Sequence, residues 1–533
     1  MTFEMLLQPT DDLANPTFKN AASCALWLRQ LQLTNLQPAH QQLLAQVSEL
    51  NRYPMHDIER LNTLEELRET VDHVQKSYAT KLISRPLPFN RTELVVFMSI
   101  LQLWKAMSQG YQRCLKSYMD GNQELDQHIA LLCQRCMLYS GLTILEHLRA
   151  GYEFDDKHWA QLHQFYQFAE ASKRQLEEVV DPLMGSHPNS SCHRIYVKIL
   201  LACSAHPAEL NRMQLQMLDN WLSEWSKEIV VEEDVAHAKA QRLVTDISGR
   251  KGLYPAQQIT HSKNMRYLSI TPISKLLKVH IILLEQGKSP QQLNMGEGSS
   301  KEAIKFLTFL HQCWCENRNL RAITRLPTSR NAMLCFQAED IYAHVCGEAF
   351  KQPTKNSVSN ALTLKQSQVL ERTMSRVSSQ HSPPEYIQSE TWHVENENIL
   401  GAQLTRTTQG ASIGFNQFLA IRLAGDTHFS LAATAWVNVP ITGQLRMGIR
   451  YLPGEVQAVS VRVADRLEEY APAFILGASV NLKVPSSLIL PRNWFQANRM
   501  LEIVMRNGEQ RKIKLGFSVE RGVDYERVSF NFV

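Results

Sequence analysis

The chain has 533 residues, 44% of them hydrophobic and 20% charged, the composition of a folded protein with several domains. Its 56 basic and 52 acidic side chains leave a net charge of +4, too even for the concentrated basic face of a general nucleic-acid binder. The most apolar runs, such as Leu276 to Leu284, which Lys278 and His280 interrupt, are too short to insert across a membrane.

MTFEMLLQPTDDLA opens the chain without the basic lead-in or apolar stretch of a signal peptide, so a cytoplasmic protein with ten reduced, scattered cysteines is expected. From about 16 to 230 the pattern is helical. Apolar residues recur at helical spacing from Phe18 to Leu33. Asn90-Arg-Thr-Glu93 predicts a helix start, because Asn90 can cap the first turn while Glu93 reaches back. That helix continues through Met119, and Leu125 to Leu148 and Trp159 to Leu183 follow the same rule. Trp104, Met107 and Tyr111 lie three to four residues apart, the spacing of a packed core. Short connections predict antiparallel neighbours, hence a helical bundle or a stack of hairpins, without a fixed repeat.

Residues 231–350 read as mixed and mainly helical. Ser274 to Glu285 and Lys301 to Glu316 are helical, separated by the loop GKSPQQLNMGEGSS, and Ala332 to Cys346 reads as short strands. Residues 351–390 have the composition of a linker, polar with proline and serine, around a short helical piece from Leu362 to Val377. From Glu390 the period changes to two. Phe418 to Leu423, Phe429 to Val439, Leu445 to Leu452 and Val456 to Val463 alternate and are rich in Val, Ile and aromatics. Met500 to Met505 and Arg511 to Phe517 flank Asn507-Gly508, a hairpin signal, and Tyr525 to Val533 is a last strand. So many short strands predict a barrel or sandwich.

Four motifs are given their plain structural meaning. Gly410-Ala-Ser412-Ile-Gly414 has the spacing of a hydrolase nucleophile turn but lies between strands, without the β/α setting that motif needs, so no enzyme is expected. His311-Gln-Cys313-Trp-Cys315 and Cys133-Gln-Arg-Cys136 lie in helical patterns, where cysteines act as small hydrophobes, and no metal is expected. Gly296-Glu-Gly298-Ser-Ser-Lys301 lacks P-loop spacing and reads as a surface loop with Ser299 or Ser300 as helix cap.

Two strings carry ligand chemistry: Arg372-Thr-Met-Ser-Arg376 and, some twenty residues on, Asn396-Glu-Asn398-Ile-Leu-Gly401. The arginine spacing also occurs at Arg321/Arg325, Arg446/Arg450 and Arg462/Arg466, where it reads as solvated surface charge. Arg372 and Arg376 are set apart by lying just ahead of the first strand of the expected barrel. Two guanidinium groups there can grip phosphates, bond guanine O6 and N7 and stack on a purine face. Asn396 and Asn398 offer donors and acceptors to a guanine edge, and Gly401 permits a tight turn and close approach of the backbone.

This combination resembles the PilZ domain, a small bacterial β-barrel whose pattern is Arg-x-x-x-Arg followed by Asp/Asn-x-Ser-x-x-Gly. Arg372, Arg376, Asn396 and Gly401 match, and Asn398 stands where that family has serine. The resemblance covers roughly 366–480. It implies an intracellular, non-enzymatic receptor for cyclic di-GMP that needs no cofactor, with output to motility, pili, polysaccharide or biofilm. The expected architecture is multidomain α + β. It comprises a helical domain at 1–230, the mixed region at 231–350, a linker carrying the arginines at 351–390, an antiparallel PilZ-like barrel at 391–485 and additional strands at 486–533. Ligand binding would order the arginine segment on the barrel and switch how the helices engage an unidentified protein partner. The alternative is a scaffold or adaptor whose barrel no longer binds nucleotide.

Overall fold

The computed structural model describes residues 7, 9–184, 188–233, 242–255, 262–316, 325–353, 388–464, 469–479 and 484–533. It divides into two compact units, Met1–Arg85 with Phe89–Ala322, and Pro86–Pro88 with Ile323–Val533. The chain is multidomain α + β, helices in the first unit and antiparallel barrels in the second.

The first unit is built on α1 (Ala21–Gln30), α2 (Leu36–Arg52), α3 (Asp57–Ala79), α4 (Arg91–Met119), α5 (Ile129–Ala150), α6 (Lys157–Ala171), α7 (Cys192–Ser204) and α8 (Arg212–Trp225). Sequence-local capping starts several of them. The Asn90/Glu93 box opens α4 as expected, and Asn211/Gln214 closes the same reciprocal pair of bonds on α8. Trp104, Met107 and Tyr111 are buried, as their spacing requires. Gln123–Ala150 is apolar and long enough to cross a membrane, but 78% of its most apolar window is buried within the fold. The helix expected over Trp159 to Leu183 stops at Ala171, and Lys173 takes a left-handed conformation. Beyond it, β1 (Val179–Val180) and β2 (Asn189–Ser190) pair as a short ribbon, and the intervening Asp181 is drawn inward.

Asp181 joins a largely buried ionic cluster. Arg68 of α3 donates to both of its oxygens at 2.8 and 2.7 Å, and Arg135 of α5 adds a third bond at 2.9 Å. Arg135 also forks onto Glu65 at 2.8 and 2.7 Å, and the Tyr111 hydroxyl donates to the same carboxylate. Burial pushes the Asp181 carboxyl up, but Arg135 and Arg68 outweigh it and hold the group below its ordinary range.

Several histidines of this unit are buried and neutral. His163 has Nδ1 2.8 Å from the Tyr196 hydroxyl and Nε2 2.8 Å from the Lys251 carbonyl. A carbonyl only accepts, so Nε2 carries the proton and Nδ1 accepts from the phenol. Burial lowers the basicity of His40, His147, His158, His163 and His193 alike. Below the ordinary histidine pKa of about 6.5 the unfolded chain therefore takes up protons that the folded chain refuses. Stability should fall as pH drops from 7.5 to 5.5, by at most about 1.4 kcal/mol per histidine per pH unit. Urea unfolding followed by helical circular dichroism should show this, with a shallower dependence for His163→Gln. A pH-independent midpoint would contradict it.

A four-stranded antiparallel sheet follows, in the order β3 (Val231–Glu232), β6 (Met265–Ser269), β4 (Arg242–Asp246) and β5 (Tyr254–Pro255). A helical pair, α9 (Thr271–Glu285) and α10 (Ser300–Cys315), ends the unit and matches the two helices expected there.

The second unit holds two closed six-stranded barrels. The first uses β7 (Leu326–Cys335), β8 (Glu390–Asn398), β9 (Gly401–Arg406), β10 (Phe418–Leu423), β11 (Ser430–Asn438) and β12 (Leu445–Tyr451), closed in the order β10-β11-β12-β9-β8-β7. The second uses β13 (Val456–Val463), β14 (Ala471–Leu476), β15 (Ser487–Pro491), β16 (Met500–Val504), β17 (Gln510–Arg521) and β18 (Tyr525–Phe532), in the order β13-β14-β15-β18-β17-β16. Asn507-Gly508 turns the β16–β17 hairpin, with Gly508 at φ 81°.

This arrangement differs from the expected division in three places. The first barrel recruits β7, from the region assigned to the mixed domain. Ala338–Cys346 is a helix, α11, because Ala338, Ile341, Tyr342 and Val345 share one helical face against the barrels. The boundary at 485/486 falls between β14 and β15 of one barrel, so the final strands complete a second closed sheet. One core joins both barrels, with Phe418, Leu431 and Leu452 of the first packed with Phe474, Ile489 and Tyr525 of the second. Of the expected linker, 354–387 lies outside the described residues, including the helical piece from Leu362 to Val377.

Candidate functional site

The Asn396–Gly401 string forms the tip of the β8–β9 hairpin at one corner of the first barrel. Asn398 and Gly401 face each other across a turn made by Ile399 and Leu400. Asn398 Oδ1 accepts from the Leu400 and Gly401 amides at 2.9 and 3.1 Å. An asparagine side chain holding backbone amides in this way is a turn-forming device, so the position where the resembling family has serine fixes the hairpin here.

Gly401 closes the tight turn opposite Asn398 without a left-handed backbone. It is absent from the positive-φ glycines, and its need is one of space. A Cβ there would lie well inside van der Waals contact of the Ile449 carbonyl oxygen on β12. Gly401→Ala should therefore push β9 and β12 apart and destabilise the second unit by at least about 2 kcal/mol. Thermal melting checks this, and an unchanged transition would refute the steric account.

Asn396 is aimed by irregular pairing. β8 gains a residue at Glu395 between the Val394–Leu404 and Asn396–Gln403 pairs. β7 is irregular at the same level, between its Pro327–Asn396 and Arg330–Val394 pairs. Bulges re-aim side chains, and this one sets Asn396 beside Gln403 on the outer surface. Asn396 Nδ2 donates to Gln403 Oε1 at 3.2 Å, and Arg325 Nη1 donates to Asn396 Oδ1 at 3.2 Å. Glu395 accepts from Gln403 and Thr405, and Arg330 pairs with Glu397. Leu326, Ile399 and Leu400 are exposed around this corner, at 70%, 67% and 40%.

Arg372 and Arg376 lie outside the described residues. The structure brings a different arginine to the asparagine hairpin. The first barrel strand in chain order is β7, and the Arg-x-x-x-Arg pair just ahead of it is Arg321/Arg325. Of these, Arg321 lies outside the described residues and Arg325 touches Asn396. The criterion that singled out 372/376, position before the first strand, now selects the pair read as ordinary surface charge. Its spacing was in the sequence; its neighbour across the sheet was not.

Ser412 Oγ donates to the Pro88 carbonyl at 2.9 Å, and among the described residues no histidine or carboxylate is bonded to it. His311 on α10 bonds Ser274 and Glu316, while Cys133 and Cys136 are buried in α5 with thiols pushed up by burial. Among the described residues no group of three potential ligands is placed to hold a metal.

Comparison with known proteins finds matches at both ends. Residues 22–236 match the family model described as the cyclic-di-GMP receptor FimW, N-terminal domain. Residues 457–533 match the one described as the FimW C-terminal beta-barrel domain. The second match spans nearly all of β13–β18, and neither includes the first barrel. The chain is also similar to the cyclic-di-GMP receptor FimW of Pseudomonas aeruginosa, 18% identical over 551 residues, covering 93% of this chain and 89% of that protein. No solved structure matches.

Proposed function

We propose that this chain is a receptor for cyclic di-GMP that binds its ligand at the Asn396 corner of the first barrel. The observation that carries the reading is the 3.2 Å contact between Arg325 and Asn396. It joins the arginine spacing and the Asn-x-Asn-x-x-Gly turn on one closed six-stranded barrel, in a chain similar over 93% of its length to a cyclic-di-GMP receptor.

In this account Arg325, with Arg321 four residues before it, donates to the ligand phosphates. Asn396 turns its amide from Arg325 and Gln403 to a guanine edge, and Asn398 with Gly401 holds the hairpin in shape. Arg372 and Arg376 form a second candidate grip, supported by sequence spacing alone. The ligand acts without chemical conversion. It changes which protein partner the helical unit engages, and the site lies in a cytoplasmic protein.

A thermal shift separates this receptor from an adaptor that has lost the nucleotide. A ligand that binds only the folded state adds about 2.7 kcal/mol of stability at a hundred times its dissociation constant. Cyclic di-GMP should raise the melting temperature of the second unit by several degrees, and GMP should not. Equal melting curves with both would favour the adaptor.

A further inference from the structure

Behind the β8–β9 hairpin, a cleft of 880 Å³ opens among the strand ends of the first barrel, α11 and the connection from β12 to β13. Asn398 and Ile399 form one lip, so the cleft is continuous with the asparagine corner. Its size lies within the range of small-molecule sites.

The far wall is a cluster of two tilted rings and a guanidinium. The Phe429 ring has the His344 ring 4.9 Å away on one side and the Arg422 guanidinium 5.0 Å from its centre. Among the described residues no carboxylate pairs with Arg422, whose one recorded side-chain bond is a 3.8 Å contact to the Met333 sulfur. His344 and Tyr451 line the same space; their Nε2 and hydroxyl are buried and, among the described residues, without a hydrogen-bonding partner. Buried polar atoms are nearly always satisfied, so both point to an occupant that bonds them. Burial, then Arg422, keeps His344 neutral, with one donor and one acceptor nitrogen. Burial likewise pushes the Tyr451 phenol up to about 12, so it remains a donor.

These groups suit a purine edge better than a phosphate. Arginine pairs with guanine O6 and N7, and a flat ring can lie against the aromatic wall. Glu397 and Glu455 also line the cleft; carboxylates accept from guanine N1–H and the 2-amino group but repel a phosphate.

We propose that this cleft receives one guanine base of the cyclic dinucleotide, with Arg422 reading its O6/N7 edge and Tyr451 and His344 completing the contacts. The proposal rests on the receptor reading above. It adds a specificity site that the hairpin string does not contain.

Titration calorimetry of the full chain with cyclic di-GMP and cyclic di-AMP tests it. The unchanged chain should prefer the guanine ligand. Arg422→Gln should weaken cyclic di-GMP at least about tenfold and narrow that preference, and Tyr451→Phe should weaken it about threefold to tenfold. If Arg422→Gln also lowers the melting temperature of the ligand-free protein, Tyr451→Phe decides the matter. Unaltered affinity and preference in both variants, while Arg325→Ala loses binding, would overturn the base-reading cleft and leave the receptor standing. No binding by the unchanged chain would overturn both.

Discussion

Arg325→Ala should reduce cyclic di-GMP affinity by about a hundredfold while leaving the melting temperature of the ligand-free protein within about 2 °C of its starting value. A guanidinium offers parallel donors to a phosphate, and a hydrogen bond to a charged group contributes about 1.5–3 kcal/mol. Two such bonds amount to about two decades in dissociation constant. Without ligand, Arg325 donates to the neutral Asn396 amide from a partly buried position, and Asn396 keeps its bond to Gln403 when that contact is lost. The informative control is the double variant Arg372→Ala with Arg376→Ala. If the double variant loses binding and Arg325→Ala retains it, the cationic grip comes from the linker pair. Asn396→Ala should fall between, weakening binding roughly tenfold through one lost purine contact.

Asp181→Ala should lower the stability of the helical unit by about 3–5 kcal/mol, the range seen when one member of a buried ionic cluster is removed. The side chain is 0% exposed and receives bonds from two buried guanidinium groups on different helices. Removing it leaves the positive charges of Arg68 and Arg135 facing each other, with Glu65, among the described residues, left to balance them. For a domain of this size the loss corresponds to roughly 10 °C in melting temperature. Asp181→Asn keeps the shape and removes the charge, so a near-normal melting temperature for Asn would show that packing, not charge, holds the cluster. The sign of the pH effect is fixed too. A carboxyl held below its ordinary range contributes stability above the unfolded pKa of about 3.9, which is lost as pH falls through the folded value.

Legibility followed the range of the interactions. The start of α4 was readable because Asn90 and Glu93 meet within one turn. The strands at Phe418–Leu423 and Val456–Val463 were readable from their composition and period, and Asn507-Gly508 carries its own turn chemistry. The Asn396–Gly401 hairpin was readable for the same reason, although the task of Gly401 was not, because the Ile449 carbonyl that excludes a side chain comes from β12.

What escaped was set by contacts between distant segments. β7 begins Leu-Pro-Thr-Ser-Arg-Asn, half exposed and with a proline, and only its last residues are continuously buried. Its partner β8 lies beyond α11 and the stretch 354–387, so nothing local announces the pairing. Missing β7 moved the apparent start of the barrel to Glu390, so that Arg372/Arg376 and not Arg321/Arg325 read as the pair just ahead of the first strand. The second barrel was hidden likewise: β13 pairs with both β14 and β16, and β15 with β18, an order that sequence does not display. The cluster of Arg68, Arg135 and Asp181 is a third case, joining positions 113 and 46 residues apart.

The central claim is that the first barrel captures a cyclic dinucleotide at the corner where Arg325 meets Asn396. Calorimetric titration of cyclic di-GMP into the full chain tests it most directly. The predicted result is saturable heat with one molecule or a stacked pair per chain, at micromolar or tighter affinity, about 8 kcal/mol or more. A flat titration at ligand concentrations well above micromolar, with a well-folded protein in the cell, would contradict it.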